Sequence, residues 1–185
     1  MDKKHVGITG FNASGKGEVA RYFQKQDYIL ISLSDLLREE AKSRNMEFTR
    51  ENLTKLGKEL RKQRAPGFLA ELAVIKADPS SAYVIDSIRH PEEIRILKEK
   101  FAPFFLLGID APIEVRFERS RLRGRQENAD TIEEFIHREN QEKKNNPNAQ
   151  QLHKCMEMCD ALIINDSDIQ TLESKIKAAL SSAKQ

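Results

Sequence analysis

The residues best placed to do chemistry lie near the start of the chain, in the stretch GITGFNASGKGEVA at 7–20. Gly10 and Gly15 permit a loop whose amide hydrogens converge on phosphate oxygens, and Lys16 adds a charge that can reach terminal phosphates. An apolar run precedes the loop and a helical pattern follows it, as a phosphate-binding loop requires and a chance glycine turn does not. The pattern predicts phosphate contacts by Gly10, Asn12, Ala13, Ser14, Gly15, Lys16, Gly17 and Glu18.

Gly17 stands where many such loops carry the Ser or Thr that binds Mg²⁺. The segment GKGE resembles the GKGT loop of adenylate kinases and related nucleoside monophosphate kinases, in which glycine likewise fills this position. That class holds its metal largely through water and phosphate oxygens, so the resemblance implies ATP and Mg²⁺ as cofactors. The chain has no Asn-Lys-x-Asp guanine motif, which argues against a GTPase.

A second candidate group follows the second apolar run, in SLSDLLREEA at 32–41. It resembles the STGDLLR segment of adenylate kinases, whose arginine grips the acceptor monophosphate. Asp35 and Arg38 match that segment and are the implied substrate-binding residues. The planar fork of arginine suits a phosphate, although Arg38 could instead pair with nearby carboxylates on an exposed helix.

The stretch VIDSIRHPEE at 84–93 supplies a further pair. Asp86 is expected to end an apolar strand, where its carboxylate could orient the water ligands of a metal or an attacking oxygen, or merely cap a loop. Arg89 could neutralise phosphate charge on the acceptor. The stretch resembles the DGFPR acceptor loop of adenylate kinases, shortened by one residue.

Five arginines fall within ten residues of the stretch at 116–130: Arg116, Arg119, Arg121, Arg123 and Arg125. Their spacing resembles the start of the adenylate-kinase lid, and Asp130 and Arg138 match part of a later lid element. The resemblance implies that Arg119, Arg123 and Arg138 stabilise charge on the transferring phosphoryl group. A solvated basic helix is the alternative. A nucleic-acid patch is disfavoured because no aromatic residues interleave with the arginines.

Two weaker signals lie near the end of the chain. Asn165 follows the last apolar run, where related kinases contact adenine, but it could equally cap a helix. His153, Cys155 and Cys159 lack a second pair of ligands at zinc spacing, and the cysteines indicate a packed helix face rather than a metal site.

Five short apolar runs, separated by helical patterns, must position these residues. They predict strands at 5–9, 28–33, 82–86, 103–110 and 161–165. Such alternation indicates a three-layer α/β fold with a parallel sheet covered by helices on both faces. The resemblance implies the strand order 2-3-1-4-5 in a single domain over 1–185, with a helical acceptor-binding region at 34–76 and an arginine-rich lid at 120–147.

Composition limits the remaining possibilities. With 39% hydrophobic and 32% charged residues, the chain has the balance of a folded domain. A net charge of +2 gives no reason to expect a nucleic-acid partner, and no apolar stretch is long enough to cross a bilayer. We therefore expect a cytoplasmic monomer or homodimer whose partners are small-molecule nucleotides.

Taken together, the motifs resemble adenylate-kinase-like P-loop nucleoside monophosphate kinases. They are most similar to an archaeal and bacterial group that includes the kinase-like domain fused to some deoxycytidylate deaminases. The zinc-deaminase signature itself is absent from this chain. The resemblance implies transfer of the γ-phosphoryl group of ATP to a nucleoside or deoxynucleoside monophosphate. Two alternatives remain, a kinase similar to dephospho-CoA kinase and an ATP-binding regulatory module without turnover.

Overall fold

A single parallel sheet carries the loops that form the site. The computed structural model describes residues 4–123, 129–142 and 146–182. The strands are β1 (His5–Gly10), β2 (Ile29–Ser32), β3 (Tyr83–Ile88), β4 (Phe104–Asp110) and β5 (Ala161–Ile164). Their order in the sheet is β2-β3-β1-β4-β5, and every neighbouring pair is parallel, as predicted. The carboxyl ends of all the strands therefore meet at one edge, where open α/β sheets bind ligands.

Helices cover both faces of the sheet and give the three layers expected from the alternating pattern. They are α1 (Lys16–Gln24), α2 (Leu33–Ser43), α3 (Arg50–Gln63), α4 (Phe68–Lys76), α5 (Pro91–Lys100), α6 (Ile113–Leu122), α7 (Ile132–Glu142), α8 (Leu152–Glu157) and α9 (Ile169–Ser182). One core is formed with side chains of α2 to α5 and α8, and the other with side chains of α1 and α9. No helix within the described ranges is both long and apolar enough to span a membrane.

Two element boundaries that matter for the site differ from the sequence expectation. Helix α2 begins at Leu33, one residue before the expected region, because Ser32 caps it by accepting the N–H of Asp35 at 3.3 Å. Strand β3 continues to Ile88, so Asp86 does not end it. The pairing of β1 with β3 shifts register between Gly7 and Thr9, next to this extra length of strand.

Two capped helix starts hold site residues in place. Thr49 caps α3 by accepting the N–H of Asn52 at 3.1 Å. His90 and Glu93 form a capping box at the start of α5, with Pro91 in its first turn. The expected lid at 120–147 is only partly covered, because 124–128 and 143–145, and Arg125 with them, lie outside the described residues.

Candidate active site

The phosphate loop joins β1 to α1 and requires glycine at two positions. Gly10 has φ of 152°, and a Cβ atom there would lie 2.1 Å from the carbonyl oxygen of Ile109. Gly15 has φ of 99°, and its Cβ atom would lie 2.1 Å from Nδ2 of Asn165. Ala13 also has positive φ, at 59°. The glycines thus let the backbone turn sharply and pass close to its neighbours, as a loop that wraps phosphates must.

Lys16 folds back over this loop. Its Nζ donates hydrogen bonds to the carbonyl oxygens of Gly10 (2.9 Å) and Phe11 (2.7 Å). Burial lowers the pKa of Lys16 to about 8; Asp86 opposes the shift, and the nearby positive charges of Arg89 and Arg123 add to it. An anionic ligand would favour the charged form of Lys16 and so oppose the effects of burial and of the neighbouring positive charges. The electrostatics of the loop therefore favour phosphate binding.

A cavity of about 360 Å³ opens beside the loop. It is bounded by the phosphate loop, α2, the start of α3 and the segments that follow β3 and α6. Five cationic side chains line it, and no carboxylate does so among the described residues; the cations are Lys16, Arg38, Arg50, Arg89 and Arg123. The structure therefore brings together four predicted cations from four separate parts of the chain. Gly10 and Asn12 of the loop line the same cavity.

Apolar side chains, one hydroxyl group and one amide group form another part of the cavity lining, namely Leu37, Phe48, Leu53, Leu152, Thr54 and Gln150. Phe48 is 52% exposed, so its ring can pack against a planar ligand. Sequence reasoning missed Phe48, Arg50 and Thr54. The available signal was the segment FTRENLT, in which Thr49 can cap a helix and so places these residues around the start of α3.

Asp86 is connected to Arg38 indirectly, through the backbone N–H of Ser87 and the hydroxyl groups of Ser87 and Ser34. Asp86 Oδ1 accepts the backbone N–H of Ser87 at 2.6 Å, and Ser87 has φ of 66°. The Oγ of Ser87 donates to the Oγ of Ser34 at 3.3 Å, which in turn accepts from Nη1 of Arg38 at 3.1 Å. Asp86 is not one of the described residues that line the cavity; it acts on the site through its charge on Lys16.

Arg38 both pairs with a carboxylate on its own helix and lines the cavity, which are the two possibilities that the sequence left open. Its Nη1 also lies 2.5 Å from Oδ1 of Asp35, with both side chains partly exposed. Exposed pairs of this kind contribute little to stability. Arg38 lines the cavity nonetheless, so an anionic ligand can compete with Asp35 for the guanidinium.

The arginines of α6 point to different places rather than to one shared site. Arg116 is buried, donates to Glu139 on α7 at 3.0 Å, and stacks over the ring of Phe11 at 5.1 Å. Arg121 pairs with Glu118 on the same helix. Arg123, which directly follows α6, lines the cavity, whereas no arginine of α6 itself is among the described lining residues.

Two of the predicted catalytic arginines therefore lie away from the cavity lining. Arg119 donates from Nη1 to the carbonyl oxygen of Asn165 at 2.9 Å. Arg138 pairs with Glu134 one turn earlier on α7. Their contact with a transferring phosphoryl group stays a prediction.

Asn165 braces the phosphate loop. Its Nδ2 donates to the carbonyl oxygen of Ser14 at 2.9 Å, and its backbone N–H donates to Asp110 at 2.7 Å. The side chain is buried in this position. Asp168, not Asn165, caps α9 by accepting the N–H of Thr171 at 2.8 Å. Contact of Asn165 with a nucleotide base stays a prediction.

The remaining predicted loop residues occupy the start of α1. Ser14 is fully buried, Gly17 is exposed, and Glu18 pairs with Arg21 on the same helix. A Cβ atom on Gly17 would come no closer than 3.9 Å to its nearest neighbour, Nη2 of Arg21. The absence of a hydroxyl at position 17 is therefore not imposed by lack of space.

The predicted metal contact depends on one carboxylate, that of Asp86. No group of three His, Cys, Asp or Glu side chains within the described ranges is placed to hold an ion. Cys155 is buried on α8, as expected of a packed helix face, whereas Cys159 lies after the end of this helix, is half-buried, and donates from Sγ to the carbonyl oxygen of Met156. One carboxylate, Asp86, fits Mg²⁺ that takes its other ligands from phosphates and water, since Mg²⁺ retains water readily.

The chain is similar to proteins of known family and fold. A family model described as an AAA domain matches residues 9–136. A UPF0200 protein of Thermococcus gammatolerans is 31% identical over 176 residues, which are 92% of this chain and 90% of that protein.

Two solved structures share the fold. TT1252 from Thermus thermophilus covers 98% of both chains with a TM-score of 0.62 and 19% identity. A shikimate kinase from Aquifex aeolicus covers 97% of this chain and 98% of its own, with a TM-score of 0.56 and 14% identity. The expected P-loop kinase fold is confirmed, while the narrower assignment to nucleoside monophosphate kinases stays a prediction. The chain therefore belongs to the family of the AAA-domain model and to the UPF0200 proteins.

Proposed function

We propose that this protein transfers the γ-phosphoryl group of ATP to a nucleoside or deoxynucleoside monophosphate. The amides of the phosphate loop and Lys16 bind the phosphates of ATP. Arg38 and Arg89 bind the phosphate of the acceptor, and Arg123 neutralises charge between the two ligands. Arg119 and Arg138 are proposed to join the site on closure, as the resemblance implies.

The observation that carries this proposal is the charge of the cavity. Five cations and no carboxylate among the described lining residues favour a ligand pair with several negative charges. A neutral acceptor, such as a sugar, would leave these cations repelling one another across a partly desolvated space. The apolar and amide lining beside Phe48 suits a planar base, which offers both a face for stacking and an edge for hydrogen bonds.

The mechanism requires positioning and charge neutralisation rather than a general base. The attacking oxygen of a monophosphate is already ionised near neutral pH, so this chain needs only to align it with ATP. Lys16 exchanges its bonds to the carbonyl oxygens of Gly10 and Phe11 for bonds to phosphate. Arg38 likewise turns from Asp35 to the acceptor. Asp86 would help to hold Mg²⁺ through water, and the ion would supply further neutralisation of the phosphate charge.

A panel of acceptors tests the proposal. Formation of ADP is measured with each common ribonucleoside and deoxyribonucleoside monophosphate, with dephospho-CoA, and without acceptor. We expect ADP to form only with one or a few monophosphates. Lys16→Ala should abolish ADP formation, because each of the candidate functions requires ATP to bind at Lys16.

The other outcomes identify the alternatives. Turnover with dephospho-CoA alone would contradict the proposal and favour a kinase for a bulkier hydroxyl acceptor. ATP binding with no acceptor-dependent ADP formation would contradict it in favour of a regulatory module. Arg95→Ala serves as the matched control, because Arg95 is an exposed arginine on α5 that pairs with Glu92 outside the cavity.

A further inference from the structure

A buried ion pair links two walls of the cavity and has no role in the mechanism above. Arg61 on α3 and Glu93 on α5 are 4% and 0% exposed, and Nη2 of Arg61 lies 3.6 Å from Oε1 of Glu93. The start of α3 lines the cavity with Arg50 and Thr54, whereas the segment before α5 lines it with Arg89. The ion pair therefore joins α3, whose start forms one wall of the cavity, to the start of α5, which follows the Arg89 wall.

Glu93 fixes the backbone at Arg89. Its Oε2 accepts the N–H of Arg89 at 2.8 Å and that of His90 at 3.0 Å. The carbonyl oxygen of Arg89 accepts the N–H of Gln151 at 2.9 Å, so the backbone of this residue is held on both sides. These hydrogen bonds fix the position of the Arg89 backbone. They therefore limit which part of the cavity the guanidinium of Arg89 can reach.

Stability alone does not account for the charges. Replacing a buried ion pair by well-packed apolar residues is often neutral or stabilising, because two charges must be desolvated. A neutral glutamine at position 93 could still accept both backbone N–H groups. In addition, Glu93 Oε1 and Arg61 Nε have no hydrogen-bond partner among the described residues. What the carboxylate adds over an amide is its attraction for Arg61 on α3.

We propose that Arg61 and Glu93 are positioning residues that set the spacing between Arg89 and the α3 wall, and so the affinity for the acceptor phosphate. The inference rests on the proposed function for the identity of the acceptor. The existence of an anion site does not depend on the proposed function, because Arg89 and Arg50 line the cavity whatever the acceptor is.

Four variants of the full chain test it: Glu93→Gln, Arg61→Met, the double variant, and Glu92→Gln as the matched control. Glu92 is the exposed neighbour of Glu93 and pairs with Arg95. We expect each single change at the buried pair to raise the acceptor KM about tenfold, since small displacements of positioning groups have effects of this order or larger. The KM for ATP should stay unchanged, and the control should behave as wild type.

The double variant separates positioning from mere stability. Removing both charges should restore stability against urea relative to the single variants, because no unpaired charge remains buried. The acceptor KM should stay raised, because the attraction that spaces the two walls is gone. Recovery of the acceptor KM together with stability would overturn the inference, as would an unchanged acceptor KM in folded Glu93→Gln. If Glu93→Gln does not fold, Arg61→Met carries the same test.

Binding of inorganic phosphate, followed by the ¹⁵Nε NMR signal of Arg89, makes the test independent of turnover. Weaker phosphate binding in Glu93→Gln, with Glu92→Gln unchanged, supports the inference even if no monophosphate is phosphorylated and the proposed function fails. Phosphate binding equal to that of wild type in all folded variants overturns it even if the kinase reaction is demonstrated.

Discussion

Replacing Gly15 by alanine tests the packing of the phosphate loop on the last strand. The added Cβ atom would lie 2.1 Å from Nδ2 of Asn165, and the residue has φ of 99°. An L-residue in a left-handed conformation costs about 1–2 kcal/mol. Moving Asn165 breaks its buried bond to the carbonyl oxygen of Ser14, which costs about 1–3 kcal/mol. The free energy of unfolding should therefore fall by about 2–5 kcal/mol.

Urea unfolding of four variants measures this effect. Gly17→Ala is the matched control, because its Cβ atom has 3.9 Å of clearance and alanine in a helix is favoured over glycine by about 0.5–1 kcal/mol. Asn165→Ala removes the amide group with which the methyl group added at position 15 would collide. The double variant at Gly15 and Asn165 should therefore lose less than the sum of the single losses, by at least about 1 kcal/mol.

Two results would refute the reasoning. One is a Gly15→Ala protein as stable as Gly17→Ala. The other is strict additivity of the losses at Gly15 and Asn165, which would mean that the two side chains do not compete for the same space.

Three further predictions concern charged groups. Because the pKa of Lys16 is lowered from 10.5 to about 8 and phosphate favours the protonated form, ATP affinity should be full below pH 8 and be lost above it. Calorimetry should then show Kd rising about tenfold between pH 7 and pH 9, and a flat profile would contradict this. Arg38→Ala should raise the acceptor KM and leave ATP binding unchanged, whereas Arg95→Ala should alter neither; steady-state kinetics with each substrate varied in turn will decide. Arg116→Met should lower the free energy of unfolding by about 1–3 kcal/mol, because it leaves the partly buried carboxylates of Glu139 and Asp110 without their cationic partner. Arg121→Met, in an exposed pair, should change little in the same urea titration, and equal losses would contradict the assignment.

The parts of the fold that could be predicted are those set by local pattern. Apolar runs of strand length fixed the number and sequence positions of the strands, and the glycine spacing placed the phosphate loop between β1 and α1. The order of the sheet came from the resemblance instead. The apolar run predicts that the third strand ends at Asp86, whereas pairing with β1 extends β3 to Ile88.

The parts that could not be predicted depend on which elements meet in three dimensions. The sequence grouped Arg116 with four other arginines of an expected lid, but its position between Phe11 and Glu139 depends on how α6 packs against the loop and α7. Asn165 reaches Ser14, far away in sequence, only because β5 joins the sheet beside β4. Phe48 carries no motif, and only the packing of α3 against α2 places it at the cavity.

The most direct test of the central claim is the fate of the γ-phosphate. ATP labelled at that position is incubated with the protein, Mg²⁺ and the monophosphate that best stimulates ADP formation, and the labelled products are separated. The account predicts that the label appears in the nucleoside diphosphate made from the acceptor, and that Lys16→Ala abolishes its appearance. Label found only in inorganic phosphate, at a rate that no monophosphate alters, would contradict it.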